Sequence, residues 1–231
     1  MPYPFAHPAA VLPLVRPMGR FAAPSALVIG SIVPDLWYFA PSVDRVASHS
    51  VAGLFWFCLP LGVASYVFFH LLLKQPLIAL LSSRLAAFTS PALPPAPWYA
   101  VLVSVWVGAL THVAWDDLTH LAEYPNSYNF PQHISTALGS AILVWWVWRK
   151  LHRAPSGPPD ARLSPRARTL TIAALATAAV CAAWLAASEL PAAPDIAALR
   201  QALRSAASAA AIGLGLALFV YCAIWQLGKK R

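Results

Sequence analysis

Five stretches of this chain are apolar over nearly the length needed to cross a bilayer, and that leaves few folds open. They run from Val51 to Leu73, Trp98 to Trp115, Ile134 to Trp148, Leu170 to Ala187 and Ser208 to Leu227. A helix needs about 20 apolar residues to span the hydrocarbon, and only helices and closed barrels satisfy every backbone group there. Ile134 to Trp148 is the short one, and it spans only by starting earlier or by sitting in a locally thinned bilayer. Composition agrees, with 59% hydrophobic and 10% charged residues, against roughly 25% charged in soluble domains. The expected fold class is all-α: a polytopic membrane helical bundle of about five spanning helices. Pro60 is the expected kink in the first span.

Ala22 to Tyr38 is apolar too, but Pro24, Gly30, Pro34 and Asp35 break it. A re-entrant or half-embedded segment is expected there, since irregular backbone at membrane depth is tolerated only where it is enclosed by protein or lines a cavity. Ser82 to Pro97 and the basic, Pro-rich stretch Arg153 to Arg168 read as loops. All 7 histidines precede the second loop. The expected organisation is therefore a site-bearing bundle over 1–152, a basic loop over 153–168 and an Ala-rich transmembrane pair over 169–231. In that pair, Ala207, Ala210, Gly213 and Gly215 allow close helix approach.

The 16 Lys and Arg exceed the 8 Asp and Glu, but they lie mostly in loops and at the C-terminus, not in a patch of the kind nucleic acid requires. They report topology instead. Arg149, Lys150, Arg153, Arg162, Arg166 and Arg168 place their loop in the cytoplasm, and Lys229, Lys230 and Arg231 place the C-terminus there. Counting back through the five spans, His49, His112, Asp116, His120 and His133 all fall near the outer face. Cys58, Cys181 and Cys222 lie within apolar runs at spacings that match no zinc or redox motif. The N-terminus has no basic leader region and is expected to remain in the mature protein.

Chemistry concentrates in His112-Val-Ala-Trp-Asp116-Asp117-Leu-Thr-His120, where the second span leaves the bilayer. Residues four apart drift only about 80° over two steps on a helix, so His112, Asp116 and His120 share one face. Imidazole and carboxylate on one face can hold a divalent metal; the plain alternative is a hydrogen-bonded polar belt at a helix end. Asp35 follows a proline in an apolar stretch and needs a partner, either as a ligand or as a helix N-cap. His49, between Ser48 and Ser50, is a ligand or an interfacial loop histidine. His7, beside Pro8, says little unaided.

Asp117 and Glu123 are candidate general bases or groups that orient a histidine, and Asp117 points about 100° away from Asp116. Gln132 and His133 open a helix and are candidate substrate contacts. His70 lies 21 residues after His49, about 30 Å along a straight helix, so it is not expected in the same site. No phosphate-cradling glycine loop, Gly-x-Ser-x-Gly elbow or His-Glu-x-x-His is present.

At these residues the chain resembles the bacterial membrane proteins of domain-of-unknown-function family 4184. The resemblance is carried by Pro4-Phe-Ala-His7-Pro, Ser25 through Pro34-Asp35, Ser48-His49, His70-Leu-Leu-Leu-Lys, Gly108-Ala-Leu-Thr-His112-x-x-x-Asp116-x-x-x-His120 and Gln132-His133-x-Ser-Thr, over about the first 150 residues. More loosely it is similar to bacterial membrane-bound metal-dependent hydrolases, and through them to the all-helical zinc phospholipase C and P1 nuclease group. That likeness implies His7, Asp35, His49, His112, Asp116 and His120 as metal ligands, and phosphoester cleavage as the activity. The secreted enzymes of that group also use a free amino-terminal nitrogen, whereas His7 follows Met-Pro-Tyr-Pro, so one or two metals are expected and not three.

The expected function is a metal-dependent hydrolase of a lipid-like phosphoester, multi-pass in a bacterial inner membrane, with its site near the outer face. Zn is the first expectation for the metal, with Mn, Fe or Mg as alternatives. A Mg-dependent prenyl-diphosphate transferase or cyclase, using Asp116 and Asp117, is the second reading. A transporter or structural protein with a polar path is the third.

Overall fold

The computed structural model describes residues 6–39, 42–81, 96–120, 130–153, 163–188 and 195–228, and every regular element among them is helical. The chain divides into two compact units, Met1–Phe69 with Ala92–Arg153, and His70–Pro91 with Ala154–Arg231. The main helices are α1 (Pro24–Gly30), α2 (Arg45–Ser48), α3 (Val51–Leu80), α4 (Trp98–His120), α5 (Phe130–Arg153), α6 (Pro165–Ala187) and α7 (Ile196–Gly228).

Among the described residues, α3, α4, α6 and α7 are long and apolar enough to cross a membrane, four where five were expected. The stretch from Ile134 to Trp148 does form a helix, but α5 extends past it into polar turns at both ends. Gln132, His133, Ser135 and Thr136 open it, and Arg149, Lys150, His152 and Arg153 close it. These polar ends dilute an apolar stretch that is itself short. The last helix is longer than its apolar pattern, beginning at Ile196 and carrying Arg200 and Arg204 in the extension.

In the first unit the broken N-terminal segment wraps against α4. Helix α1 is only 7 residues long, and the chain then tightens into a narrow helical turn over Val33–Phe39. Ala26, Leu27 and Val33 are fully buried. Ser104 of α4 secures the start of α1: its hydroxyl accepts from the Ala23 N–H at 2.8 Å and donates to the Phe21 carbonyl at 3.1 Å. One turn further along α4, Gly108 lies against the backbone of Leu27 and Ser31, and a Cβ there would collide with the Leu27 carbonyl. In a bilayer, helix association rests on close van der Waals packing, because lipid tails already solvate apolar side chains. Small residues such as Ala23, Ala26, Gly30, Ala100 and Gly108 make that closeness available along this contact.

Pro60 does not simply kink α3. The helix widens over Leu54–Cys58, and the Leu59 N–H reaches back to the Leu54 carbonyl, just before a proline that lacks an N–H. Such a one-turn widening is a recognised way of accommodating a break in the hydrogen-bond ladder.

The second unit repeats the device near Pro76. The helix widens over Phe69–Leu73, and the proline leaves the Leu72 carbonyl without its usual donor. The Gln226 side-chain amide of α7 donates to the carbonyls of Leu71 and Leu72 at 2.9 and 3.0 Å. Tyr221 donates to the Pro76 carbonyl at 3.0 Å. Where water is scarce these bonds replace it as the partner of freed carbonyls. Within this unit α6 and α7 pack through small residues: Gly213 sits against Ala178 and Ala182, while Gly215 faces open space. Only 6% of the most apolar window of each helix is buried, as suits surfaces that meet lipid.

Candidate metal centre

Five ionisable side chains from four parts of the first unit meet at the end of α4. Their convergence follows from a stripe along that helix, Ser104, Gly108, His112 and Asp116, each one turn beyond the last. Ser104 anchors the start of α1, and Gly108 lets the end of α1 press close. That closeness brings the Ser31 carbonyl 2.7 Å from His112 Nδ1. His112 therefore donates through Nδ1 and turns the lone pair of Nε2 into the site. Asp35, four residues past Ser31 in the tight turn, arrives with Oδ1 3.7 Å from that Nε2.

His49 is placed by two caps. The Asp44 carboxylate accepts from the Ala47 N–H at 2.7 Å and starts α2. The Ser50 hydroxyl accepts from the Gly53 N–H at 2.9 Å and starts α3. The break between the caps turns His49 inward, with Nδ1 3.0 Å from the Arg45 carbonyl and 2.9 Å from Ser48 Oγ. Its Nε2 lies 3.6 Å from Asp35 Oδ1 and 3.6 Å from Asp116 Oδ2. His7 stacks on His112, ring centroids 3.7 Å apart, and its Nε2 is 3.7 Å from Asp116 Oδ1. Arg45 closes the group, its Nη2 donating to Asp116 Oδ2 at 2.8 Å.

The donor set fits a divalent metal. Two overlapping triads, His7–Asp35–His112 and His49–His112–Asp116, each offer ligand atoms within 4.8 Å of one another. Ligands about 2.1 Å from a tetrahedral ion are themselves about 3.4 Å apart, close to the separations here. Both ring nitrogens of His7, both oxygens of Asp35 and Nε2 of His49 and of His112 are buried with no hydrogen-bond partner among the described residues. Each such group costs about 1–3 kcal/mol unless something else satisfies it.

Protonation suits ligation as well. Burial, and then the neighbouring His112, push His7 down to about 4, so it is neutral at pH 7. Burial opposes ionisation of Asp35, but His112 and His49 beside it more than offset that and hold it below the ordinary carboxylate range. Neutral imidazole and ionised carboxylate are the forms that bind metal.

The other expected residues are placed differently. Asp117 is exposed, whereas its neighbour Asp116 is buried, so the two carboxylates diverge. His120 ends α4, with its side chain outside the described residues, as is Glu123 altogether. Gln132 is buried on α5 and His133 is exposed. His70 falls in the second wide turn of α3 and is not in either triad. His152 packs against Trp148 at the far end of α5, their rings tilted at 45°. Sequence reasoning missed Arg45. The available signal was its isolation, for it is the one Lys or Arg between Arg20 and Lys74.

Fold and site together define an all-α protein with several membrane-spanning candidates and a buried His/Asp cluster of metal-binding geometry at the end of one of them. The chain belongs to the family described as Domain of unknown function (DUF4184), which matches residues 1–224 and so takes in every residue of the cluster. No curated protein and no solved structure matches it. The looser likeness to metal-dependent hydrolases finds no support in these comparisons.

Proposed function

We propose that this protein is a membrane-embedded metal-dependent hydrolase of a lipid-like phosphoester, with one divalent ion held by His7, Asp35, His49, His112 and Asp116. The observation that carries this reading is the convergence of buried imidazole and carboxylate groups, of which the His7 nitrogens, the Asp35 oxygens and the Nε2 atoms of His49 and His112 have no hydrogen-bond partner among the described residues. One ion is favoured because both triads use His112, whose Nδ1 is engaged by Ser31 and whose Nε2 has a single lone pair. Three imidazoles and two carboxylates suit Zn, Mn or Fe better than Mg. These five residues would hold the ion and leave it room for a water as well.

When bound, such an ion polarises a phosphoryl oxygen and lowers the pKa of its water. The protein's own groups would do the rest. Asp35 keeps Oδ1 toward His49 and His112, so its Oδ2 would be left to take the proton of the attacking water. Near Arg45 and His49 along the chain, Val46, Val51 and Phe55 are exposed apolar residues, beside the exposed Asp44. They favour a substrate with an acyl or prenyl tail.

Removing the metal with a chelator should lower hydrolysis of bis(p-nitrophenyl) phosphate by at least about 100-fold, and Zn or Mn should restore it. Turnover that survives metal removal, or purified protein with no transition metal, overturns the reading.

In this reading α5 also crosses the bilayer, its 24 residues covering about 36 Å, and the basic residues after it stay inside. The site then opens outward. Val46→Cys, in a chain whose own cysteines are replaced, should react with a membrane-impermeant maleimide in intact cells. Labelling only after permeabilisation would place the site inside.

A further inference from the structure

We propose that the last turns of α5 bind an anionic phospholipid, with Arg149 and Arg153 on its phosphate; this rests on α5 crossing the bilayer, as proposed above, and not on the metal. Trp145, Trp148, Arg149, His152 and Arg153 recur at helical spacing and line a cleft of about 400 Å³ on one face of the helix. The cleft lies well away from the metal centre. Trp115 of α4 donates to Ser135 near the start of α5, and Arg149 comes about 21 Å further along the axis.

Two features make this face more than a marker of topology. First, its polar groups are held in place. The Arg149 guanidinium lies over the Trp145 ring, 5.3 Å from its centre. The His152 ring packs 4.3 Å from that of Trp148, and its Nδ1 is 2.9 Å from the Trp148 carbonyl. An arginine already stacked on a ring loses less freedom when its planar fork meets a phosphate. Second, the face has the two halves that a lipid has. Ile142 and Leu138, one and two turns before Trp145 on the same side, are exposed and apolar, as are Trp145 and Trp148. An acyl chain lies along Leu138 and Ile142, and its headgroup meets the arginines at the level where tryptophans gather.

The charge favours an anion however any one side chain is paired. From Trp145 to Arg168 the chain carries Arg149, Lys150, Arg153, Arg162, Arg166 and Arg168 against Asp160 alone. Asp160 lies outside the described residues, but one carboxylate neutralises one cation wherever it sits. The next acids along the chain, Glu123 and Glu189, lie before α5 and beyond α6. The C-terminal end of the helix dipole adds about half a negative charge, less than Arg149 and Arg153 carry. Basic clusters at the end of a spanning helix attract anionic lipids at about fivefold in affinity per cation.

The test uses the full chain in detergent and native mass spectrometry, which resolves successive lipid-binding events. Dioleoyl phosphatidylglycerol and dioleoyl phosphatidylcholine are titrated separately, each with and without inorganic phosphate. The wild type should prefer phosphatidylglycerol by at least about 10-fold. Arg149→Gln/Arg153→Gln should lose that preference, binding phosphatidylglycerol about 25-fold more weakly. Trp145→Leu keeps every charge and should lose about 2- to 5-fold, the scale of a cation stacked on an aromatic ring. Arg200→Gln/Arg204→Gln removes the same charge from exposed positions of α7 and should bind as wild type.

Equal affinity of the wild type for the two lipids overturns the site and leaves an aromatic belt. Equal loss in the two arginine double variants overturns it too, since attraction would then be diffuse. Trp145→Leu that binds as wild type removes the cleft as the location, and displacement of the lipid by inorganic phosphate makes the occupant a soluble anion. The crossing of α5 is checked separately. Ile142→Cys, reconstituted in vesicles in a chain whose own cysteines are replaced, should resist a water-soluble maleimide. Rapid labelling overturns the crossing and the lipid site with it; protection without a lipid preference overturns the site alone.

Discussion

His112→Ala is expected to lose its metal: bound Zn or Mn, measured by inductively coupled plasma mass spectrometry on untagged protein, should fall from about one ion per chain to background. No other residue takes part in both triads, and the groups that orient ligands are alone worth about 10–100-fold in affinity. Removing the ligand itself should cost more. The imidazole is also the donor to the Ser31 carbonyl, at 2.7 Å, and leaving that buried acceptor unpaired costs about 1–3 kcal/mol of stability. The two effects separate experimentally. Added metal at about 100 times its Kd stabilises a protein that binds it by about 2.7 kcal/mol. Wild type should show that rise in thermal stability and His112→Ala should not. Metal content equal to wild type in the variant would remove His112 from the centre.

Gly108→Val should be among the most damaging single substitutions outside the cluster. A Cβ at this position meets the Leu27 carbonyl and lies 2.8 Å from the Ser31 nitrogen, both of them backbone atoms that cannot rotate away. Overpacking typically costs about 1–3 kcal/mol, and valine at a backbone contact should reach the top of that range or exceed it. The damage extends to function. Forcing α1 off α4 draws the Ser31 carbonyl away from His112 Nδ1, and metal affinity should drop by about 10–100-fold in whatever protein still folds. Gly215→Ala is the control, since nothing lies within 4 Å of a Cβ there; better helix propensity should leave it neutral or up to about 1 kcal/mol more stable. Thermal unfolding in detergent, with size-exclusion profiles, compares the three proteins. If Gly108→Val melts with wild type, α1 and α4 are not in direct backbone contact at Gly108.

Much of the cluster was legible because some constraints are local. The four-residue spacing of His112 and Asp116 is a property of helix geometry, as is the divergence of Asp117 from Asp116. The need of Asp35 for a partner follows from its apolar setting and requires no knowledge of where the partner lies. His7 offered no such pattern; only its stacking on His112 places it. Arg45 was overlooked because its meaning depends on Asp116, 71 positions away. The same holds for Gln226, whose amide answers the carbonyls of Leu71 and Leu72, 155 and 154 positions earlier, beside Pro76. Of the five expected spans, four are long and apolar enough to cross among the described residues, and the fifth, α5, forms the expected helix with polar ends around a short apolar stretch.

By itself, then, the order of residues determined the all-helical membrane class, the broken character of the segment before Tyr38 and the face that His112 and Asp116 share. Hydropathy and helical period act between near neighbours, and the backbone imposes them wherever the chain goes. Only the tertiary structure decided which side chains meet: His7 with His112, Asp35 with His49, Arg45 with Asp116. Those meetings depend on how closely α1 presses on α4 at Gly108 and on how the caps at Asp44 and Ser50 turn the chain between α2 and α3. Packing of that kind joins residues far apart in sequence through contacts that no local period records.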